Sequence, residues 1–309
     1  MATVLITGAS GLIGTALSRR LNTDGHVVHR LGRSPDPADP RSFGWDITKG
    51  WIDQRCLDGV THVVHLAGAG IADVRWSAAR VQELIDSRTD SAHLLLRAVL
   101  DRSASLEGFV SAAGIGYYGA LTSDHRYVES DPPGDDTIAR ISVEWERAVD
   151  EWNELTRVVK LRTPMVLARD GGALSRLLPV VDLGIASALG SGRQWVPWVH
   201  LDDLVEAYVA ALFSVEMQGP YNACAGEDVT NDALMRALAH VRNKPYFLPR
   251  VPGFALRLLF GEMAAVLLKG SRASNARLVG TGFAFQYTQV EQALRDLFAP
   301  ARGMDQQAL

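Results

Sequence analysis

Residues 3–14 read TVLITGASGLIG, and this stretch decides the fold. Its first five residues form a nearly continuous apolar run, which is typical of a strand buried on both faces of a parallel sheet. Glycine follows at every third position, and apolar residues then recur at helical spacing from Leu12 to Leu21. A strand, a glycine-rich turn and a helix in this order predict the first unit of a dinucleotide-binding α/β fold.

The three glycines each have a separate physical task in such a unit. Gly8 permits the tight turn, Gly11 lets the backbone approach a pyrophosphate, and Gly14 lets the helix pack against the strand. Amides at the start of the helix then hold the phosphates. The predicted cofactor-binding residues of this loop are Gly8, Ser10, Gly11, Leu12, Ile13 and Gly14. The alternative is a glycine-rich turn that binds nothing.

The alternation of strand and helix continues through the first half of the chain. Strand-like segments occupy 26–31, 61–67, 107–112 and 156–162, with helical patterns at 77–102 and 136–155. Repeated strand–helix–strand units predict right-handed crossovers and a parallel sheet. After residue 163 the helical patterns dominate. We therefore predict an α/β protein, a Rossmann doubly wound parallel sheet with a smaller, mostly helical C-terminal substrate domain.

The composition excludes several classes of protein. With 309 residues, of which 47% are hydrophobic and 21% charged, the chain is typical of a globular protein with about two domains. A net charge of −4, without a long run of basic residues, argues against nucleic acid as a partner. The sequence offers no apolar stretch of membrane-spanning length and no basic start of a signal peptide.

The two cysteines, Cys56 and Cys224, are too few and too far apart in the sequence for a disulfide framework or a metal site of their own. We therefore expect two small buried apolar side chains and no bound metal. A reducing, cytoplasmic location without membrane contact follows as the expectation.

The end of the second predicted strand decides which dinucleotide is bound. An acidic side chain there would bind the ribose 2′-OH of NAD, but residues 30–34 read RLGRS. Arg33 with Ser34 would instead hold a 2′-phosphate by charge-assisted hydrogen bonds, so NADP(H) is preferred and NAD(H) stays possible. The alternative is that Arg33 is a solvated loop charge. Asp46 is a candidate for binding the adenine amine or, equally, for capping a helix.

Beyond the glycines, the sequence resembles the extended form of the short-chain dehydrogenase/reductase superfamily, whose spacing is TGxxGxxG. Further motifs stand in the order of the atypical, epimerase-like YfcH-type family. They are HLAGAGIADVRWS, VSAAGIGYYG, LRTPMVLARDGG, GSGRQWVPWVHLDDL and YNACAGEDVTNDALMRAL. The resemblance covers nearly the whole chain. It implies an NAD(P)-binding Rossmann domain of residues 1–165 plus 197–224 and a substrate domain of residues 166–196 plus 225–309.

The resemblance also implies cofactor contacts that periodicity does not reveal. These are Leu66, Ala67 and Gly68 after the fourth strand, Glu83 and Arg88 on the next helix, and Thr163 and Met165 beside the nicotinamide. By periodicity alone, Glu83 and Arg88 form a solvated pair. The segment HLDD at 200–203 is interpreted as a junction between strand and helix, with Asp202 or Asp203 at the cap.

The superfamily's catalytic pair is missing. Its chemistry uses a tyrosine as general acid and base, with a lysine one helical turn later that lowers the pKa of the phenol. None of the seven tyrosines is followed by lysine at the fourth position. Tyr118 or Tyr117 is left as a candidate proton donor, Ser111 as the nearest hydroxyl, and Arg140 as a substitute charge. The alternative for both tyrosines is that they form aromatic walls of a pocket.

Arg193, Trp195 and Trp198 occupy the segment that grips the substrate in the sugar-nucleotide relatives that this sequence resembles. Arginine beside tryptophan suits a phosphate or a stacked ring. Packing of one domain on the other would explain the two tryptophans equally well.

Two functions follow as hypotheses. The first is an NADP(H)-dependent oxidoreductase or sugar-nucleotide-epimerase-like enzyme that acts on an unidentified carbonyl or hydroxyl substrate, as a monomer or homodimer. In such an enzyme the cofactor supplies the hydride, and the protein supplies binding and orientation. The second is a non-catalytic NADP(H)-binding sensor or regulatory protein that uses the same cleft. Fold alone does not separate them.

Overall fold

A computed structural model describes residues 1–299 of the chain. The last ten residues, 300–309, which the sequence predicts to be frayed, lie outside the described residues. An eight-stranded sheet forms the centre, with helices on both of its faces. The strands are β1 Thr3–Thr7, β2 Val27–Gly32, β3 Ser42–Asp46, β4 Trp51–Ile52, β5 His62–His65, β6 Gly108–Gly114, β7 Arg126–Tyr127, β8 Val158–Thr163, β9 Met165–Leu167, β10 Trp198–His200, β11 Gly219–Asn222 and β12 Arg272–Ala273.

The helices connect these strands in the order that the sequence predicts. They are α1 Leu12–Thr23, α2 Ala78–Asp101, α3 Thr137–Asp150, α4 Leu174–Asp182, α5 Leu201–Phe213, α6 Asn231–Val241, α7 Gly253–Phe260, α8 Ala264–Leu268, α9 Ala276–Val279 and α10 Val290–Phe298. Short 3-10 turns cover Gln54–Leu57, Ile115–Tyr118, Glu151–Glu154 and Gly261–Met263. None of the helices in residues 1–299 has both the length and the apolar character needed to cross a membrane.

The strand order of the central sheet is β11-β8-β6-β5-β1-β2-β3-β4. Every neighbouring pair is parallel except β3 with β4, which is antiparallel. The prediction of a Rossmann doubly wound parallel sheet is therefore confirmed. The chain builds outward from β1 in one direction and then returns to place β5 on its other side. Ligands of such sheets bind at this switch point, outside the carboxyl ends of the strands.

The core explains why the apolar runs became central strands. Val4, Leu5 and Ile6 of β1 are all fully buried, because α1 and α5 pack together on one face of the sheet while α2 and α3 pack together on the other. A strand covered on both faces has no solvent side, so its apolar residues need not alternate with polar ones.

A second hydrophobic cluster lies outside the sheet and holds the C-terminal helices together. It joins Leu174 of α4, Leu238 of α6 and Leu294 of α10 to Trp198 of β10. The short β10 pairs in parallel with β9, which follows β8 directly. The proposed division at 1–165 plus 197–224 and 166–196 plus 225–309 stays a prediction.

Candidate functional site

The glycine loop has the backbone geometry that a bound dinucleotide requires. Gly8 has a φ of +67°, and a Cβ atom there would stand 2.9 Å from the carbonyl oxygen of Leu66. A Cβ on Gly14 would stand 2.5 Å from the carbonyl oxygen of Gly8. Gly11 meets only that same oxygen, at 3.2 Å, so its outer side stays open. Two glycines thus bring strand and helix close together, and the third leaves room for a ligand.

The N-terminus of α1 is left without a side-chain cap. Gly11 occupies the N-cap position, and the first turn of the helix carries no acidic residue. In contrast, side-chain oxygens of Ser77, Asp136 and Thr230 cap α2, α3 and α6. Uncapped amides at the positive end of a helix dipole form a ready anion site. The residues present therefore fit a pyrophosphate at Ser10, Leu12 and Ile13.

Two cavities flank this loop. One of about 530 Å³ lies between α1 and the end of β2, and its lining includes Ser10, Arg19, Gly32 and Ser34. Another of about 820 Å³ lies on the other side of the loop, against residues 168–172. Arg19 lines both cavities and is exposed. The sequence analysis missed Arg19, although its position two helical turns into α1 would have indicated a charge beside the cleft.

The end of β2 presents the predicted side chains to the first cavity. Ser34 and Gly32 line it, and Arg33 stands between them with its side chain exposed. Arg30, the other cation of this strand, forms an ion pair with Asp39. Arg33, the cation that the sequence proposes for a 2′-phosphate, is therefore exposed between two residues that line the cavity.

The Asp46 side chain stabilises the turn in which it lies. Its carboxylate accepts hydrogen bonds from the Thr48 hydroxyl at 2.7 Å and from the Lys49 amide at 3.1 Å. These bonds, led by that from Thr48, lower the pKa of Asp46 to about 2. Asp46 thus caps no helix, which corrects that alternative, and stabilises the turn after β3 instead. Contact with an adenine stays a prediction.

A buried polar chain fixes the loop after β5. The Thr7 hydroxyl accepts hydrogen bonds from the amides of Leu66 and Ala67, both at 3.1 Å. It also contacts His65 Nδ1 at 3.0 Å, and His65 Nε2 contacts the Ser91 hydroxyl at 3.2 Å. Burial lowers the pKa of His65 to about 4, so this imidazole is neutral. The sequence analysis missed the chain, because its members are far apart in sequence.

The structure separates the two residues proposed on the helix after β5. Arg88 is buried and donates to the carbonyl oxygens of Leu84 and Ala69 at 2.8 and 3.0 Å. A Cβ on Gly68 would touch its guanidinium carbon at 3.1 Å. Glu83 is instead exposed and pairs with Arg80 at 2.8 Å. Arg88 therefore supports the cofactor loop from below, whereas Glu83 lies on the outer face of α2.

Thr163 and Met165 end β8 and begin β9, as the resemblance implies. Both are partly exposed. The Thr163 hydroxyl donates to the carbonyl oxygen of Leu161 at 3.0 Å, and Met165 pairs with Trp198 in the short second sheet. Gly171 and Gly172, a few residues later, pack against Leu12 of the glycine loop. The segment after β8 thus closes over the start of α1.

Tyr118 is sealed in the protein. Its side chain is 1% exposed, and its hydroxyl accepts from Arg162 Nη1 at 2.8 Å and faces Asn222 Oδ1 at 2.9 Å and the Val128 carbonyl at 3.0 Å. Burial raises the pKa of Tyr118 to about 12. A hydroxyl with its partners already in place cannot reach a substrate, which corrects the expectation that Tyr118 donates the proton.

Ser111 and Tyr117 are also engaged elsewhere. Ser111 is fully buried, and its hydroxyl donates to the carbonyl oxygen of Ala112 at 2.7 Å, which corrects its assignment as a substrate contact. Tyr117 is partly exposed, and the Arg162 guanidinium lies 3.5 Å from its ring centre. Tyr118 thus belongs to a small hydrophobic cluster with Cys224 and Ala273, against which Tyr117 packs, rather than to the wall of a pocket.

A buried ion pair holds this corner together. Arg162 of β8 and Glu146 of α3 form two hydrogen bonds, at 2.7 and 3.0 Å, and are only 2% and 4% exposed. Lys160 adds a contact to Glu146 at 3.3 Å. Such a bidentate pair positions the Tyr117–Tyr118 turn, because Arg162 contacts both rings.

The face of α3 that meets the turn after β6 carries no acid–base pair. Ile138 and Ser142 lie one helical turn apart on this face, against Gly116 and Gly114. The Ser142 hydroxyl donates to the Ile138 carbonyl at 3.0 Å. Arg140 is exposed on another side of the helix and does not replace a lysine here. The missing Tyr-x-x-x-Lys pair is therefore not supplied by another part of α3.

The predicted substrate residues do not gather at the cofactor loop. Trp198 is 1% exposed and belongs to the second hydrophobic cluster, so its assignment as a substrate contact is corrected to a core residue. The Trp195 indole donates to the Ser123 carbonyl at 2.9 Å and stacks with Arg272. Arg193 is exposed on the preceding loop. Packing between parts of the chain accounts for both tryptophans.

The HLDD segment has a structural task. His200 Nδ1 accepts from the Asp202 amide at 3.1 Å, so the cap of α5 is His200 rather than either aspartate. Asp203 accepts from the amides of Gln286 and Tyr287 at 2.8 and 3.0 Å. The segment thereby connects α5 to the residues that precede α10. In residues 1–299 the structure contains no cluster of three His, Cys, Asp or Glu that could bind a metal.

Comparison with known proteins agrees with this architecture. The model of the NAD dependent epimerase/dehydratase family matches residues 4–224, and that of a domain of unknown function, DUF1731, matches residues 251–297. Epimerase family protein Mb2239 of Mycobacterium bovis is 38% identical over 295 residues, which are 95% of this chain and 96% of that protein.

Solved structures extend the likeness. The crystal structure of human epimerase family protein SDR39U1 with NADPH matches with a TM-score of 0.86 at 30% identity, over 96% of this chain and 98% of that one. UDP-glucose 4-epimerase of Thermus thermophilus, in complex with NAD, matches with a TM-score of 0.74 at 22% identity, over 97% of this chain and 99% of that one. At that identity the second match shows the fold alone.

Proposed function

The chain belongs to the NAD dependent epimerase/dehydratase family, and on that premise we propose that it is an NADP(H)-dependent oxidoreductase or epimerase-like enzyme. It transfers a hydride between the nicotinamide and a carbonyl or hydroxyl substrate. The observation that carries the proposal is the open, uncapped N-terminus of α1 beside Gly8 and Gly14. This arrangement suits a dinucleotide phosphate, and the packing of α1 does not itself require an uncapped N-terminus.

Preference for NADP(H) rests on the end of β2. Ser34 lines the cavity beside α1, Arg33 is exposed directly before it, and the nearby acidic Asp39 is paired with Arg30. A guanidinium binds a 2′-phosphate strongly, whereas NAD offers only a hydroxyl there. The NADPH bound to human SDR39U1 supports the same choice, and NAD in more distant relatives keeps NAD(H) as the weaker ligand.

In this proposal the protein supplies binding and orientation rather than a side-chain proton donor. The hydroxyls of Tyr118 and Ser111 are already bonded inside the protein. The proton that accompanies hydride transfer therefore comes from water at the mouth of the cleft. Neutral Thr163 and Met165, at the end of β8, contribute only to positioning.

The second candidate is a non-catalytic NADP(H)-binding sensor or regulatory protein. The burial of the two candidate hydroxyls, those of Tyr118 and Ser111, favours this function, because a sensor needs the cofactor cleft but no acid or base. The wider proposal includes a small-molecule substrate, a monomer or homodimer, and neither nucleic acid nor membrane as partner. It also includes a cytoplasmic location, which agrees with two buried, free cysteines.

Turnover separates the candidates. For the enzyme, NADPH absorbance falls when the purified protein meets a matching carbonyl from a broad panel. Tyr118→Phe should then keep activity within about 3-fold of wild type, while the lost buried hydrogen bond lowers the free energy of unfolding by about 1–2 kcal/mol. Tight NADPH binding without turnover across the panel would favour the sensor. Collapse of turnover in a stably folded Tyr118→Phe would restore Tyr118 as proton donor.

A further inference from the structure

Arg19 lies two helical turns into α1, beside both cavities that flank the glycine loop. It is exposed, and Ser10 of the loop and Thr15 of α1 line the same two cavities. Side chains of an α-helix lean toward the helix N-terminus, so a long side chain at this position extends back toward the loop. Arg19 therefore brings a positive charge toward the end of α1 at which a dinucleotide phosphate binds.

Arg19 and its neighbour Arg20 have different surroundings. Arg20 Nε donates to Glu206 of α5 at 2.5 Å, and the same guanidinium pairs with Asp24. Within residues 1–299, by contrast, Arg19 forms no ion pair. The charge of Arg20 thus joins α1 to α5, whereas the charge of Arg19 is available to a ligand in the cavities.

Other polar groups that line the first cavity, the one between α1 and the end of β2, already have partners in the protein. Arg30 pairs with Asp39. The hydroxyls of Thr15 and Ser18 donate to backbone carbonyl oxygens at 3.2 and 2.7 Å. In the described part of the chain, Arg19 is therefore the one cation of this lining that has no ion pair.

A 2′-phosphate at the end of β2 needs more than one cation. A phosphate monoester carries a charge of about −1.5 to −2 at pH 7. Asp36 also lines the first cavity and adds a negative charge, which no cation within residues 1–299 pairs with. One guanidinium, that of Arg33, does not balance these charges. Arg19 reaches the same cavity from α1, whereas Arg33 and Ser34 follow β2.

We propose that Arg19 binds the 2′-phosphate of NADP(H) from the side of α1, as a second determinant of cofactor specificity beside Arg33. A guanidinium forms charge-assisted and often bidentate hydrogen bonds with phosphate oxygens. The inference rests on the proposed function, since the 2′-phosphate enters the cavity only with the adenosine half of the cofactor. It goes further by assigning part of the specificity to a helix that follows the glycine loop.

The test uses the full chain and two nucleotides that lack the nicotinamide. Adenosine 2′,5′-bisphosphate carries the 2′-phosphate, and adenosine 5′-monophosphate does not. In isothermal titration, Arg19→Met should weaken binding of the bisphosphate about 10-fold, equivalent to ~1.4 kcal/mol, and change that of the monophosphate less than about 2-fold. Methionine resembles arginine in helix propensity, so α1 should still form.

Arg20→Met is the matched control, because it removes the same charge from the next position of the helix but from the side that meets Glu206. Both nucleotide affinities should stay within about 2-fold of wild type in this variant. Unchanged binding of the bisphosphate in Arg19→Met, or an equal loss for both nucleotides, would overturn the inference. A fluorescence titration of wild type with NADPH separates the two proposals, since absence of binding there would contradict the proposed function and this inference together.

Discussion

Around Gly8–Gly14 the cleft is lined by main chain and stays open, whereas around Tyr118 and Ile138 it is filled by side chains that contact one another. On the cofactor side, α1 begins without a cap and two cavities adjoin the loop. On the closed side, the hydroxyls of Tyr118 and Ser111 are bonded internally, and Ile138 belongs to a buried apolar cluster. The two sides are built from different parts of the chain, so an open cofactor loop stands beside a region that lacks the Tyr-x-x-x-Lys pair.

The largest expected effect is on the closed side. Arg162→Met removes the bidentate partner of the buried Glu146 and leaves it only the contact of Lys160 at 3.3 Å, so the free energy of unfolding should fall by about 3 kcal/mol in denaturant titration. Arg147→Met breaks the exposed pair with Glu144 and should cost less than about 1 kcal/mol. Similar losses in the two variants would show that the closed side is not held by its buried ion pair.

On the open side, Gly14→Ala should weaken NADPH binding about 100-fold, equivalent to ~2.7 kcal/mol. The added Cβ would stand 2.5 Å from the Gly8 carbonyl oxygen and displace the loop. Gly226→Ala is the control, since an added Cβ there meets nothing within 4 Å. A fluorescence titration measures both. Normal NADPH affinity in Gly14→Ala would break the link between glycine packing and phosphate binding.

The open and the closed side of the cleft differ in how much of their structure the sequence alone predicts. The glycine loop follows from a few neighbouring residues, because Gly8 and Gly14 act through local backbone geometry. The strand order follows from alternating patterns and the handedness of crossovers. By contrast, the fate of Tyr118 depends on Arg162 and Asn222, which are 44 and 104 residues away. No local sequence pattern reveals such distant partners. The sequence therefore suggests a tyrosine that reaches a substrate, whereas the structure has a buried one.

The same reason explains the other corrections. Trp198 follows an arginine-containing segment that suggests ligand contact, but pairing of β10 with β9 turns its ring into the second hydrophobic cluster. The polar chain of Thr7, His65 and Ser91 joins three elements and has no sequence signature. The packing of Arg88 against Gly68 was likewise not predicted, because helical periodicity alone suggested a solvated charge. The cofactor contact of Arg88 that the resemblance implies stays a prediction.

The next effect in size is a dependence of the free energy of unfolding on pH. His65 is neutral in the folded protein, with its pKa lowered to about 4, whereas an unfolded histidine titrates near 6.5. The unfolded chain therefore binds the extra proton first as the pH falls. Stability is complete above about pH 6.5 and declines below it, by about 2 kcal/mol at pH 5, until the folded pKa near 4 is reached.

Denaturant titration between pH 7 and pH 5 measures this loss. His65→Gln should remove about 2 kcal/mol of the pH dependence, whatever its stability at pH 7. The contributions of His62 and His200, whose pKa values burial also lowers, remain in the variant. An unchanged slope in His65→Gln would show that the imidazole is not held neutral.

Binding of NADP(H) on the open side of the cleft is measured directly by the ratio of NADPH to NADH affinity in wild type and in Arg33→Asp. Wild type should bind NADPH at least about 10-fold more tightly than NADH, about 1.4 kcal/mol, because in the proposed function Arg33 and Ser34 bind the 2′-phosphate that NADH lacks. Arg33→Asp should abolish that preference while NADH affinity is retained. Equal binding of the two dinucleotides by wild type, or an unchanged preference in the variant, would contradict the account.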